Sequence, residues 1–153
     1  MPLTRDRELF RTLCTKGKEL VALHLMESPV LAKSITRYPI PGSDIVDAGY
    51  PRYVAMGEPE PGTGKPRMED RLYINKGDQR ADIRAQYFGE VPQDVWAFHV
   101  GGYQVCEKWL KDRRGRKLSS DDFTHYERIV VALAETIRLM AEIDDAIPSW
   151  PLE

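Results

Sequence analysis

VPQDVWAFHVGGYQVCEKWLKDRRGRKL, residues 91–118, packs two tryptophans, a double glycine, a short apolar-periodic run and a basic run into 28 residues. Pro92 suits the first turn of a helix, and Val95, Trp96 and His99 follow at helical spacing. Gly101-Gly102 predicts the end of that helix. Tyr103 to Lys111 predicts a second one, with Val105 and Trp109 facing inward and Cys106 and Leu110 as further inward candidates. Gly115 predicts a turn within a run that, with Lys108, brings six cations into ten residues. Here a folded core meets whatever the chain binds.

Downstream, Ser119 or Ser120 predicts a helix cap, and Asp121 and Asp122 favour the positive end of the helix dipole. The helix is expected to run to about Asp145. Phe123, Tyr126, Val130, Leu133, Ile137 and Met140 step by 3, 4, 3, 4 and 3, a heptad-like seam best explained as core packing. Pro148 stops anything beyond it.

Upstream, Arg71 to Asn75 predicts a strand with Leu72 and Ile74 on one face and Tyr73 on the other. Asn75-Lys76-Gly77-Asp78 turns the chain, and Gln86 to Phe88 is a further short strand. Between Pro41 and Asp70, ten of 30 residues are Gly or Pro, so a long loop is expected around one short strand at Tyr53–Met56. Arg5 to Met26 predicts a long helix capped by Thr4, with Leu9, Leu13, Leu20 and His24 on one stripe and Phe10, Cys14 and Val21 beside it. Glu27-Ser28-Pro29 disfavours its continuation. The whole reads as one α+β domain over residues 1–153. A small mixed sheet with short helices is flanked by two long amphipathic N- and C-terminal helices that pack together.

Composition allows one soluble domain of 153 residues with net charge −2, so any attraction to phosphate must come from a local patch. Cys14 and Cys106 lie far apart and form no CxxC pair, which fits a reducing cytoplasm and argues against a disulfide framework or a zinc site. No apolar stretch approaches membrane-spanning length. The fragment GTGK at 62–65 looks like the end of a phosphate-cradling loop, but Pro59 stands where that motif needs glycine and Pro66 where it needs Ser or Thr. His24, His99 and His125 have no ligand spacing, and no serine sits in a nucleophile elbow, so a small hydrolase has no constellation behind it. No cofactor is expected. Cations at a helix end complement its dipole, so the basic run taken alone is more often a solvated end than a phosphate contact. Gln104 could reach an adenine edge, a weak signal from an isolated glutamine.

The segments at 86–119, QYFGEVPQDVWAFHVGGYQVCEKWLKDRRGRKLS, and 121–144, DDFTHYERIVVALAETIRLMAEID, resemble the C-terminal end of type ISP restriction–modification enzymes. GGYQVCEKWLKDR, Gly101 to Arg113, is the long and specific part. ELVALHLMES, Glu19 to Ser28, resembles the segment that joins the methyltransferase part to the specificity domain. The resemblance covers nearly the whole chain and is least distinct over 41–70. It implies a target recognition domain, similar to type I specificity subunits, that selects double-stranded DNA for an adenine methyltransferase with a helicase-like motor and nuclease. No methyl-donor glycine motif, Asn/Asp-Pro-Pro-Tyr motif, Walker motif or nuclease motif stands in this sequence. The expectation is a cytoplasmic, non-catalytic chain, either separately encoded or a remnant of a longer frame.

On that reading the phosphate contacts are Lys108, Lys111, Arg113, Arg114, Arg116 and Lys117. The base readers, assigned by polarity and loop position, are Lys65, Arg67, Asn75, Gln79 and Arg80. GGYQVCEKWL then folds the domain and leaves specificity to the loops. The alternative is a protein-interaction module whose long helices dock on a methyltransferase partner or on a second copy.

Overall fold

A computed structural model describes residues 7–59, 65, 66 and 68–146. Thr4 and Arg67 therefore lie outside the described residues. The chain forms two compact units, one from residues up to Lys33 together with those from Val131 onward, the other from Ser34–Val130.

In the first unit, α1 spans Arg7–His24 and is followed by a 3-10 turn at Pro29–Ala32. Helix α4, Ser120–Ala146, contributes its residues from 131 on. Leu23, Leu31, Val131, Ala132 and Leu139 are buried together, with Leu20, Met26 and Val30 packed against them. The N- and C-terminal helices thus share a core, and Lys16 Nζ and Glu142 Oε2 pair at 2.5 Å. Helix α1 stops before the proline does its work. Met26 takes φ 58°, Glu27 N donates to Ala22 O at 2.8 Å and Met26 N to Leu23 O at 3.1 Å. That is the Schellman closure, with methionine at the left-handed position. His24, expected on the apolar stripe, is exposed; Leu23 takes the inward place.

In the second unit, β1 (Arg52–Val54), β2 (Arg71–Tyr73) and β3 (Tyr87–Gly89) form an antiparallel sheet in the order β1-β2-β3. Tyr53 pairs with Leu72, and Leu72 with Phe88. Leu72, Tyr73 and Ile74 are all buried, so the central strand is covered on both faces where alternation alone predicts an inner and an outer one. Beyond β3, Arg37 exchanges backbone bonds with Gly89, which closes that edge locally. An aromatic cluster fills the space against α4. Phe88 and Tyr126 rings lie 4.7 Å apart, and Tyr38 and Phe123 rings 4.4 Å apart. Tyr126 Oη donates to Cys106 O at 3.0 Å. Each fully buried ring or aliphatic chain of this kind contributes about 1.5–3 kcal/mol.

Helix α2, Gln93–Ala97, starts behind Pro92 as the sequence predicts, but it ends at Ala97. His99–Val100 and Tyr103–Gln104 are strands β4 and β5 of a small hairpin, and α3 begins only at Val105 and ends at Lys111. Gly101 and Gly102 take φ 60° and 86°, the signs a primed hairpin turn requires at both central positions. The glycine pair is a reversal, not a helix end. Cys106 and Leu110 are the fully buried residues of α3, while Val105 and Trp109 are half-buried.

Ser119 is the cap of α4. Its Oγ accepts from Asp122 N at 3.1 Å, and Asp122 Oδ2 accepts from Ser119 N at 2.9 Å, a reciprocal capping box. Along the seam, Tyr126, Val130 and Leu133 are buried, whereas Met140 is 47% exposed and Leu139 takes the inward place. A straight helix drifts away from a seven-residue repeat, so the buried stripe moves by one position over its length. Among the six seam residues Met140 alone is exposed, with Phe123 and Ile137 half-buried.

Candidate nucleic-acid interface

A polar knot at the centre of the second unit organises the basic turn. Gln86 is 1% exposed. Its Nε2 donates to Ile40 O at 2.9 Å and Asp44 Oδ1 at 2.8 Å, and its Oε1 accepts from Asp44 N at 2.8 Å and Asn75 Nδ2 at 2.9 Å. Asn75 Nδ2 also donates to Ile45 O at 3.2 Å. Both amides are satisfied, as burial demands. The knot fixes residues 44–46, and these carry the turn after α3. Gly115 N donates to Val46 O at 2.7 Å, Leu118 N to Asp44 O at 2.7 Å and Val46 N to Arg116 O at 3.4 Å. Arg114 Nε adds a bond to Tyr50 O at 2.6 Å. Residues 113–117 are thus a braced ledge.

The six expected phosphate contacts divide into two groups. Lys108 pairs with Asp112 at 3.0 Å and Lys111 with Glu107, both one helical turn away. Exposed pairs of this kind hold only about 0.3–0.5 kcal/mol and exchange readily for another anion. Arg113 lies over Trp109, its guanidinium carbon 3.7 Å from the ring centroid, and donates to Trp109 O at 2.9 Å. That contact orders the half-buried side chain. Arg114, Arg116 and Lys117 are exposed on the ledge.

The expected base readers separate differently. Asn75 is corrected by its surroundings: at 4% exposed, with its amide bonded to Gln86 and Ile45, it holds the fold. Gln104 is likewise committed, donating to Trp96 O at 2.6 Å. Arg80 is exposed in the 3-10 turn Gln79–Ala81, at the tip of a loop closed by two 2.8 Å backbone bonds between Asp78 and Ile83. Gln79 shares that turn, and Lys65 is exposed in the long loop.

Sequence reasoning missed three cations near the ledge and the tip. Arg52 lies 5.0 Å from the Tyr50 ring centroid, beside the carbonyl that Arg114 holds. Arg128 lines a shallow groove with Trp109, Arg113, Thr124 and His125. Arg84 is exposed next to the Asp78–Ile83 tip. Nothing in a lone arginine on a strand or helix marks Arg52 or Arg128; only the fold brings them beside residues that hold the run at 113–117.

Cys106 is fully buried, and burial pushes its thiol up to about 11, away from the thiolate that nucleophilic chemistry needs. Among the described residues no cluster of His, Cys, Asp and Glu is arranged to hold a metal ion. No described helix is long and apolar enough to cross a membrane.

Comparison with curated proteins and with solved structures gives no match. A family model does match, over residues 1–142, nearly the whole chain, and its subject is the specificity domain of restriction–modification enzymes. The chain belongs to the type ISP C-terminal specificity domain family, and its role is target recognition in a type ISP system.

Proposed function

We propose that the chain lays the ledge at 113–117 against double-stranded DNA, with Arg113, Arg114, Arg116 and Lys117 on phosphates. Lys108 and Lys111 join them by exchanging their carboxylate partners. Arg80 at its loop tip is the foremost base-reading candidate, followed by Lys65, Gln79 and Arg67. The methyltransferase, motor and nuclease of the same system act on the DNA so selected, and this chain supplies no catalytic group.

The observation that supports this reading is the bracing of the ledge. Four bonds to residues 44–50 hold a run of like charge whose members repel one another, an arrangement that stabilises the domain little but prepares a site for polyanionic ligands. Phosphate contacts set register and carry most of the salt dependence. The test is binding of the purified chain to a pool of random-sequence duplexes at low and moderate salt. Replacing Arg113, Arg114 and Arg116 together by Ala is expected to lower affinity for all sequences alike, with the unfolding midpoint followed in parallel. Unchanged affinity contradicts the proposal.

A further inference from the structure

The hairpin β4–β5 has no role in the reading above. Val100 and Tyr103 are directly opposed in its register, so their side chains lie on one face of the ribbon, and His99 and Gln104 lie on the other. On the second face Gln104 is half-buried and its Nε2 bonds Trp96 O at 2.6 Å, while His99 is exposed and its ring bonds the neighbouring Ala97 O at 2.7 Å. The first face is open. Val100 is 45% exposed and Tyr103 60%. A Cβ built on Gly101 or Gly102 would meet nothing within 4 Å, so the glycines serve the turn alone and the tip stands clear of the domain. The base of the finger runs directly into α3, and Lys108 Nζ lies 5.2 Å from the Tyr103 ring centroid. Between Tyr103 and Arg113 stands α3, seven residues and roughly 10 Å long, so an open apolar pair, a lysine and the cationic ledge follow one another over a short span.

We infer that the Val100–Tyr103 face of this finger is a second DNA-contacting element, which sets its apolar side chains against base edges while the ledge holds the backbone. The inference rests on the reading of the ledge as a phosphate contact. Its partner is DNA because the apolar face is continuous with cations. Lys108 over Tyr103 and the arginines beyond α3 complement a polyanion. The span from finger to ledge is comparable to the major-groove width of about 12 Å, which lets one end rest on phosphate while the other enters the groove. Apolar contact with a thymine methyl, or partial wedging at a flexible step, is what a valine–tyrosine tip offers there. Such contacts confer sequence preference without releasing further counterions.

The test uses the full chain and a random-sequence duplex pool, from which bound duplexes are selected and sequenced. The Val100→Ser/Tyr103→Ser double variant is expected to lose preference at one or two adjacent positions. Its affinity for the wild-type selected sequence should fall by about five- to a hundredfold, as for a lost base-pair contact. Its affinity for unselected DNA and its salt slope should stay as in the wild type. Tyr103→Phe keeps the ring and is expected to restore the preference, and matching unfolding midpoints verify the fold. The same selected sequence at unchanged affinity, no enrichment by the wild type, or a changed salt slope overturns the inference. Wild-type chain that fails to bind DNA at all overturns instead the reading of the ledge.

Discussion

Asn75 and Gln86 are bonded to each other twice inside the sheet unit: Asn75 Nδ2 donates to Gln86 Oε1 and Gln86 N donates to Asn75 Oδ1, both at 2.9 Å. The pair connects the sheet to residues 44–46, and through them to the cationic ledge. Gln86→Leu leaves Asn75 and the backbone at Ile40 and Asp44 short of partners. At about 1–3 kcal/mol for each buried group left unsatisfied, a loss of about 3–5 kcal/mol is expected by urea denaturation. Amide exchange at Gly115 and Leu118 should accelerate beyond that at Leu72, because the knot holds their acceptors. Equal acceleration at all three would remove the special link to the ledge.

The reversal at Gly101-Gly102 makes a contrast between two substitutions. Asn at position 101 suits the first place of a primed turn, so Gly101→Asn is expected to leave the unfolding midpoint unchanged. Gly102→Val puts a β-branched residue at φ 86° and should cost about 1–2 kcal/mol. Both sites are open, so crowding plays no part and the difference measures backbone conformation alone.

The capping box at the start of α4 gives a pH-dependent term. Ser119→Ala should cost about 1 kcal/mol. The bond from Ser119 N holds the Asp122 carboxyl below its usual range, helped by Arg113 and Arg116. A depressed folded value contributes stability that is full above the ordinary carboxylate range and fades as pH falls through the folded value. Asp122→Asn is therefore expected to lie below the wild type in stability at neutral pH and to converge on it in acid. A gap that stays constant with pH contradicts the assignment.

Cys106 should resist thiol reagents in the folded chain and react only on unfolding, because its sulfur is buried and its thiol is pushed up to about 11. Mass spectrometry after brief alkylation, with and without denaturant, reads this directly. Rapid modification of Cys106 in the native chain would place it on the surface.

The two long helices are legible in the sequence because their apolar periodicity runs for several turns, and the Ser119 cap because its chemistry is local. The hairpin at 99–104 is not legible, since strands of two residues carry no alternation and His99 and Val95 happen to fall at helical spacing. In α3 apolar residues stand at 105, 106, 109 and 110, so periodicity alone cannot choose between adjacent faces. Asn75 reads as a loop polar group because its partners Ile45 and Gln86 are distant in sequence. The basic run is visible as a run. The lysine pairs are local, one helical turn apart, but the bracing of the ledge is set by tertiary contacts to residues 44–50.

The most direct measurement is the salt dependence of duplex binding in the Arg116→Ala/Lys117→Ala variant. Both side chains are exposed on the ledge, so the fold should be undisturbed. Each lost phosphate contact reduces the slope of log affinity against log salt by about 0.9, so the variant is expected to be shallower than the wild type by roughly 1.8, with weaker binding to every sequence alike. A slope and affinity identical to the wild type would contradict the ledge as the DNA-binding edge.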